Sequence, residues 1–139
     1  MSSPWKDPRT GIYYLRRGVP AELRGVTVNQ ITLGSLLKRS LGTKDAAEAK
    51  KRFSLELAKS DRLFEQAREL IRRLLQGAEE YEADVVACVC PMCQLNLDAY
   101  QDRVNSSFDT GYRLPVLFFT QLMGLAFGLD AENLGVGKE

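Results

Sequence analysis

The stretch Asp84-Val-Val-Ala-Cys-Val-Cys-Pro-Met-Cys93 decides the fold of the second half of this 139-residue chain. Its first part, residues 84–89, has the continuous apolar character typical of a strand that is covered on both faces. Pro91 suits the first position of a helix, so a helix should follow the strand directly. A second buried strand is predicted over residues 115–119, and a final helix over residues 121–129. This order predicts a parallel, right-handed βαβα unit.

The helices of the chain are indicated by their caps and by apolar periodicity. Thr43 is the predicted N-cap of a long central helix that nothing interrupts before Gly77, and Thr120 is the predicted cap of the final helix. The helix after Pro91 should continue to about Ser106. The apolar stripe of the central helix consists of Phe53, Leu57, Leu63, Phe64, Ala67, Leu70, Ile71, Leu74 and Leu75.

The front of the chain contains shorter, weaker elements. Residues 11–18 are rich in aromatic and β-branched side chains between two glycines, which predicts a strand. A short helix is expected over residues 21–24, and strands are expected over residues 26–33 and 36–41. The predicted fold class is therefore α/β, with small N-terminal strands and a long central helix ahead of the βαβα parallel unit.

Charge divides the sequence into two opposite halves. Residues 1–73 contain 16 Lys and Arg against 8 Asp and Glu, whereas residues 74–139 contain 3 against 10, so a net charge of +1 conceals +8 and −7. Such asymmetry indicates different partners, a polyanion for the first half and something else for the second. A single domain with polarised faces is the alternative.

The sequence offers no sign of membrane insertion or export. It has no run of eighteen apolar residues, and its first residues lack the apolar stretch of a signal peptide. We expect a cytoplasmic protein without membrane insertion.

The three cysteines, Cys88, Cys90 and Cys93, lie within six residues, which favours metal, cluster or redox chemistry over a disulfide framework. Cys90-Pro-Met-Cys93 is compatible with a thioredoxin-like redox pair, half of a zinc site, part of an iron-sulfur site, or small buried cysteines at a strand–helix junction. Zinc is the least attractive of the functional options, because closed sites need four ligands and the chain has three cysteines and no histidine. Cys88 is interpreted as core filling.

The surroundings of these cysteines are more specific than the CxxC alone. Residues 83–101 and 115–129 closely resemble the last stretch of the B subunit of heterodisulfide reductase and of related cysteine-rich proteins, and the resemblance covers residues 70–139. It implies an oxidoreductase with a non-cubane iron-sulfur cluster, for which Cys90 and Cys93 match the closing CxxC ligands. It also implies other reductase subunits or electron carriers as partners. Because the family's upstream cysteine and Cys-Cys-Gly element have no counterpart before Asp84, we expect activity to be absent or to need a second chain.

The basic half resembles the small N-terminal DNA-binding module of phage-type tyrosine recombinases, the integrases. Three blocks appear in the family's order, residues 4–17, 19–23 and 38–50, and the module is assigned to residues 1–69. The resemblance implies phosphate contacts from four basic residues close to Trp5 and the neighbouring tyrosines. We expect the chain not to act as a recombinase, because it has no histidine and is too short to include the family's catalytic domain. The candidate DNA contacts are Arg16, Arg17, Lys38 and Arg39.

Three hypotheses follow from the sequence. The first is a truncated iron-sulfur or thiol redox subunit of the heterodisulfide reductase B type that is not active alone. The second is a DNA-binding module derived from an integrase N-terminus, with the back half as an appendage. The third is a fusion without function.

Overall fold

A computed structural model describes residues 3–137 of the chain. Contacts divide the molecule into two compact units, Met1–Arg68 and Glu69–Glu139, called here the first and second units. The predicted α/β class is confirmed: small antiparallel strands precede a long helix, and a parallel pair of strands with helices follows.

The described part of the first unit contains five strands: β1 Trp5–Lys6, β2 Tyr13–Gly18, β3 Thr27–Val28, β4 Ile31–Thr32 and β5 Leu36–Ser40. Three of them form an antiparallel sheet with the order β1-β2-β5. Between β2 and β5 the chain forms a 3-10 helix over Ala21–Leu23 and a separate two-stranded hairpin, β3–β4.

The hairpin replaces the single strand predicted over residues 26–33. Asn29 and Gln30 both have positive φ, 48° and 65°, and together form the two-residue loop between β3 and β4. Two consecutive positive φ values are the mark of a type I′ turn, whose twist matches that of the flanking strands. The prediction missed this turn because neither residue is glycine.

Helix α1, Ala46–Glu80, is 35 residues long, or about 52 Å at 1.5 Å per residue. The Asp45 carboxylate accepts a hydrogen bond from the Glu48 backbone N–H at 2.7 Å, so Asp45 caps the helix. The prediction of Thr43 as the N-cap is wrong. Its hydroxyl accepts a hydrogen bond from the Asp45 N–H at 3.1 Å, in the turn that precedes the helix. The helix continues through Gly77 to its end at Glu80.

The core of the first unit lies between one face of the sheet and the first turns of α1. Leu15, Leu41, Ala49 and Phe53 form its buried cluster, with Tyr13 and Leu57 packed against it. Because side chains alternate along a strand, the buried Leu15 fixes which neighbours in β2 point toward the helix and which point away.

After the end of α1, the described part of the second unit contains β6 Val86–Cys88, α2 Pro91–Leu97, α3 Gln101–Phe108, β7 Val116–Phe118 and α4 Phe119–Ala126. Strands β6 and β7 pair with Val86 opposite Val116 and Cys88 opposite Phe118, which confirms the predicted parallel pairing. Helices α2 and α4 both pack against the two strands.

The helix predicted after Pro91 is in fact two helices. Gln101, near the start of α3, donates to the Leu114 carbonyl at 2.7 Å and accepts from the Leu114 N–H at 3.0 Å. One turn later, Asn105 donates to the Tyr112 carbonyl at 2.9 Å and accepts from the Tyr112 N–H at 3.0 Å. These two side chains therefore bind the segment that leads into β7.

The start of α4 also differs from the prediction. The helix begins at Phe119, so Thr120 lies inside it and is not its cap. The side-chain oxygen of Gln121 accepts a hydrogen bond from the Phe118 N–H at 2.8 Å, which satisfies a free donor at the helix start.

Candidate functional site

The cysteine pair of the second unit lies where β6 passes into α2. Cys90 is extended, with φ −116°, and directly precedes Pro91, which occupies the first helical position as predicted. The Cys90 carbonyl accepts from the Gln94 N–H at 3.0 Å, so the first turn of α2 closes around the pair. All three thiols are free: Cys88 is buried, Cys90 is half-buried and Cys93 is exposed.

The two thiols of the pair have opposite pKa shifts. Hydrogen bonds from the Cys93 backbone N–H, the Cys93 thiol and the Met92 N–H stabilise the Cys90 thiolate and lower its pKa. The pKa of Cys93 is raised, mainly because its thiol donates to Cys90. Burial raises the pKa of Cys88, in agreement with its assignment to the core. Cys90 is therefore the thiol best suited to react as a thiolate.

Hydrogen bonds from glutamine side chains connect this turn to the neighbouring strand. Gln94, the residue after Cys93, donates to the Val116 carbonyl of β7 at 3.2 Å and to the Gln121 side-chain oxygen at 3.4 Å. Gln121 in turn donates to the Leu134 carbonyl at 2.9 Å. Sequence reasoning missed both glutamines, because nothing in the local pattern distinguishes a positioning glutamine from a solvated one.

Exposed apolar side chains surround the pair in sequence. Val89 lies between Cys88 and Cys90 and is 77% exposed, and Met92 and Leu95 of α2 are 42% and 43% exposed.

The ligand set for a metal or cluster is incomplete in this part of the molecule. Within residues 3–137, no group of three or more His, Cys, Asp or Glu side chains is arranged to hold a metal ion. Cys90 and Cys93 supply two sulfurs, whereas iron-sulfur clusters are held by about four protein ligands. The described residues alone therefore do not fit the non-cubane cluster that the resemblance implies.

The four candidate DNA contacts of the first unit divide between the two faces of its sheet. Arg16 and Lys38 are opposite each other in the β2–β5 register and are both exposed. They lie on the face that carries Trp5 and Tyr14, which are also opposite each other. The Arg16 guanidinium is 4.7 Å from the Trp5 ring centre, and the Lys38 ammonium is 4.4 Å from that of Tyr14.

Arg17 and Arg39 belong to the other face, toward α1. Arg17 forms an ion pair with Asp61 at 2.6 Å, donates to the Ser60 hydroxyl at 2.6 Å and lies over the Phe64 ring at 4.7 Å. Arg39 is half-buried and lines a small cavity next to Ser60. The alternation of side chains along a strand could have separated Arg16 from Arg17 at the sequence level.

A family model matches one stretch of the chain. The profile of a family described as a domain of unknown function, DUF6538, matches residues 7–69. This match covers less than half of the chain, and the family's description names no function.

The curated proteins that resemble this chain are named as reductase subunits. The chain is 37% identical over 68 residues to the B subunit of the ferredoxin/F(420)H(2)-dependent CoB-CoM heterodisulfide reductase of Methanosarcina acetivorans, covering 49% of this chain and 23% of that protein. It is 43% identical over 53 residues to the B subunit of the ferredoxin:CoB-CoM heterodisulfide reductase of Methanosarcina mazei, covering 38% and 18%. It is 40% identical over 63 residues to the 8-methylmenaquinol:fumarate reductase membrane anchor subunit of Wolinella succinogenes, covering 45% and 22%.

The chain spans about a fifth of the length of these relatives. They support the resemblance to the heterodisulfide reductase B subunit and, with it, a redox-related family. No solved structure matches the chain. The resemblance to integrases receives no support from these matches and stays a prediction. Among the described residues, no helix has the length and apolar content needed to cross a bilayer.

Proposed function

We propose that the second unit is a thiol redox element of the heterodisulfide reductase B type that is inactive alone and contributes Cys90 and Cys93 to a site that another chain completes. The observation that carries the proposal is the position of the pair, at the end of a parallel strand and across the first turn of α2. Ligands of parallel sheets bind beyond the carboxyl ends of the strands, where this pair lies.

The residues support thiol chemistry directly. Oxidation of the pair removes two electrons and two protons and forms one Cys90–Cys93 disulfide, while a disulfide co-reactant takes them up and becomes two thiols. Cys90 and Cys93 are also the candidate ligands for an iron-sulfur cluster in the completed assembly. The partners we propose are other subunits of the heterodisulfide reductase type, or electron carriers.

A redox titration tests the thiol proposal. The full chain is equilibrated with mixtures of reduced and oxidised glutathione, and the oxidation state of each cysteine is mapped by peptide mass. We expect Cys90 and Cys93 to be oxidised together while Cys88 stays reduced. Independent oxidation of the two cysteines, or a disulfide that contains Cys88, would contradict the proposal.

Anaerobic reconstitution with iron and sulfide tests the requirement for a second chain. We expect the chain alone to take up much less than one cluster per molecule, with no difference between the wild type and Cys90→Ser. A stoichiometric cluster with characteristic absorption and spin resonance, lost in Cys90→Ser, would show that the ligand set is complete after all.

A second candidate function, binding of DNA by the first unit, is favoured by the exposed face that carries Arg16 and Lys38 beside Trp5 and Tyr14. Exposed cations neutralise phosphates, which makes such binding strongly salt-dependent. A mobility shift of duplex DNA by the full chain, weakened by added salt, is the expected result. A shift that Arg16→Glu combined with Lys38→Glu leaves unchanged would count against this function.

A further inference from the structure

The free thiols of Cys90 and Cys93 form a pair of soft donors that is in place before any ligand binds. The Cys93 thiol donates a hydrogen bond to the Cys90 sulfur, so the two sulfurs are in contact across the first turn of α2. The turn is closed by the bond from the Gln94 N–H to the Cys90 carbonyl at 3.0 Å, and the Gln94 side chain donates to the Val116 carbonyl of β7 at 3.2 Å. Donors that are already held in place lose less conformational freedom on binding.

The stretch of chain around the pair supplies no positive charge. From Leu74 to Asp102 the sequence contains no Lys, Arg or His, whereas reactive cysteines commonly lie beside such groups. The pair instead interacts electrostatically with a third thiol, that of Cys88. Two thiolates in contact repel each other, and a cation bound between them removes this repulsion. The local charge therefore favours a metal ion as the ligand of the pair.

The number of donors restricts the kind of metal ion. Among residues 3–137, no group of three or more His, Cys, Asp or Glu side chains could hold a metal ion, and the sequence has no histidine at all. Zinc sites use three or four protein ligands, and iron-sulfur clusters are held by about four. Cu(I) is a soft ion that prefers thiolates, and its filled d shell makes it stable with only two of them, on opposite sides. A site with two thiols therefore fits Cu(I).

Little movement is needed for this coordination. Zinc–thiolate bonds are about 2.3 Å long and bonds to two-coordinate Cu(I) are slightly shorter, so the two sulfurs on one ion would be roughly 4.5 Å apart at most. Sulfurs joined by a hydrogen bond are slightly closer than this. Because Cys93 is exposed and Cys90 is half-buried, a small rotation of the Cys93 side chain into solvent opens the pair and leaves the turn intact.

We infer that Cys90 and Cys93 form a two-coordinate site for Cu(I), with Cys88 outside it. Binding involves no change of oxidation state: each thiol loses its proton, the two thiolates bind one Cu(I), and two protons pass to solvent. The inference goes beyond the thiol redox function proposed above and does not depend on it, since copper binding requires neither a disulfide nor a second chain.

Anaerobic titration of the reduced full chain with Cu(I), supplied as its coloured bicinchoninate complex, tests the site. We expect the chain to withdraw one Cu(I) per molecule, also in the presence of excess reduced glutathione. Cys90→Ser and Cys93→Ser should each abolish this binding, because a single thiolate remains. Cys88→Ala should retain it, and so should Met92→Leu, which removes the neighbouring thioether. Retention in Cys90→Ser, or loss in Met92→Leu, would overturn the proposed ligand pair.

A displaced cysteine is the matched control for the geometry of the pair. Met92→Cys combined with Cys93→Ser keeps three cysteines in the chain but moves the second thiol of the pair by one position, about 100° around α2. This variant should bind Cu(I) about 10- to 100-fold more weakly, the usual cost when metal ligands lose their orientation. Affinity equal to that of the wild type would show that any two neighbouring thiols suffice, and would overturn the site.

X-ray absorption of the copper-loaded wild type tests the coordination without relying on the folding of any variant. Two sulfur neighbours at one short distance are expected. A third sulfur neighbour, or one copper ion shared between two chains, would refute the two-coordinate site. The glutathione titration described above reports on the redox function separately. Joint oxidation of Cys90 and Cys93 without Cu(I) binding would refute the copper site alone, and Cu(I) binding without joint oxidation would refute the redox function alone.

Discussion

Cys90 and Cys93 are separated by two residues, yet one thiol accepts hydrogen bonds and the other donates one. The Cys90 sulfur accepts hydrogen bonds from two backbone N–H groups and from the Cys93 thiol, so its charged form is stabilised. The Cys93 thiol is the donor, so its neutral form is stabilised. A direction of reactivity within the pair follows from these contacts.

The first prediction concerns alkylation of the two thiols. Cys90 should react with iodoacetamide several-fold faster than Cys93 at pH 7, because its pKa lies below the ordinary value of 9.0 and that of Cys93 lies above it. Peptide mass spectrometry across pH gives both profiles. Cys93→Ser keeps the turn, whereas Pro91→Gly disturbs it. The pH profile of Cys90 alkylation should therefore change less in Cys93→Ser than in Pro91→Gly. Coincident profiles for Cys90 and Cys93 would contradict the prediction.

Sequence reasoning located this junction because Pro91 signals a helix start and the apolar run before it signals a strand. It could not rank the thiols, since their difference depends on hydrogen bonds within one turn. It also grouped four basic residues that the sheet separates, because proximity in sequence says nothing about which face a side chain occupies unless alternation is applied. Arg17, which forms an ion pair with Asp61 and donates to Ser60, lies on the face toward α1, whereas Arg16 lies on the opposite face.

At the level of elements, Gln101 is one of the two side chains that bind the segment before β7. It is 8% exposed and satisfies both the N–H and the carbonyl of Leu114. Gln101→Ala should lower the free energy of unfolding by about 1–3 kcal/mol, because both backbone groups lose their partner. The control is Gln66→Ala, which removes an exposed 3.4 Å contact with Asn29 and should cost less. Chemical denaturation compares them, and equal losses would contradict the argument.

A substitution in the β3–β4 hairpin should stabilise the protein. Gln30 has a φ of 65°, which is costly for a residue with a Cβ and free of strain for glycine. Gln30→Gly should raise the free energy of unfolding by roughly 0.5–1 kcal/mol. Gln30→Ala keeps the strain and should give no gain, so stabilisation by both substitutions would point to a cause other than the backbone. Thermal unfolding of the three proteins decides between them.

The stability of the second unit should depend on pH through Glu69. Hydrogen bonds from Arg72 and Arg73 lower the pKa of Glu69 from 4.5 to about 2. A carboxylate with a lowered pKa contributes stability above pH 4.5, and that contribution is lost as the pH falls toward 2. Glu69→Gln should therefore unfold at a lower temperature than the wild type at pH 6 and at nearly the same temperature at pH 2. A constant difference between the two proteins across this range would contradict the assignment.

Element boundaries show where sequence patterns were sufficient. The period of apolar residues predicted α1, and the apolar runs predicted both strands of the parallel pair. Thr43 and Thr120 were mistaken for caps because threonine is a common cap, whereas an Asp45 side chain and a Gln121 side chain satisfy the free N–H groups. The break between α2 and α3 has no glycine or proline at its centre, so no local pattern in the sequence reveals it.

For the whole molecule, the separation of charge has a measurable effect. Residues 1–68 contain 14 Lys and Arg against 7 Asp and Glu, and residues 69–139 contain 5 against 11. At pH 7 and low ionic strength the chain should therefore be retained on both cation- and anion-exchange media despite its net charge of +1. Arg16→Gln combined with Lys38→Gln should elute earlier from the cation exchanger and no earlier from the anion exchanger. Passage through both media without retention would contradict the prediction.

The burial of Cys88 supplies an internal measure of how often the parallel pair opens. Its side chain is 6% exposed at the end of β6, so a reagent can reach it only when that strand separates locally from its neighbours. In a Cys90→Ser, Cys93→Ser background, Cys88 is the sole thiol of the chain, and its labelling rate reports this opening directly. When reclosing is faster than labelling, the ratio of this rate to that of an unprotected thiol gives the free energy of opening.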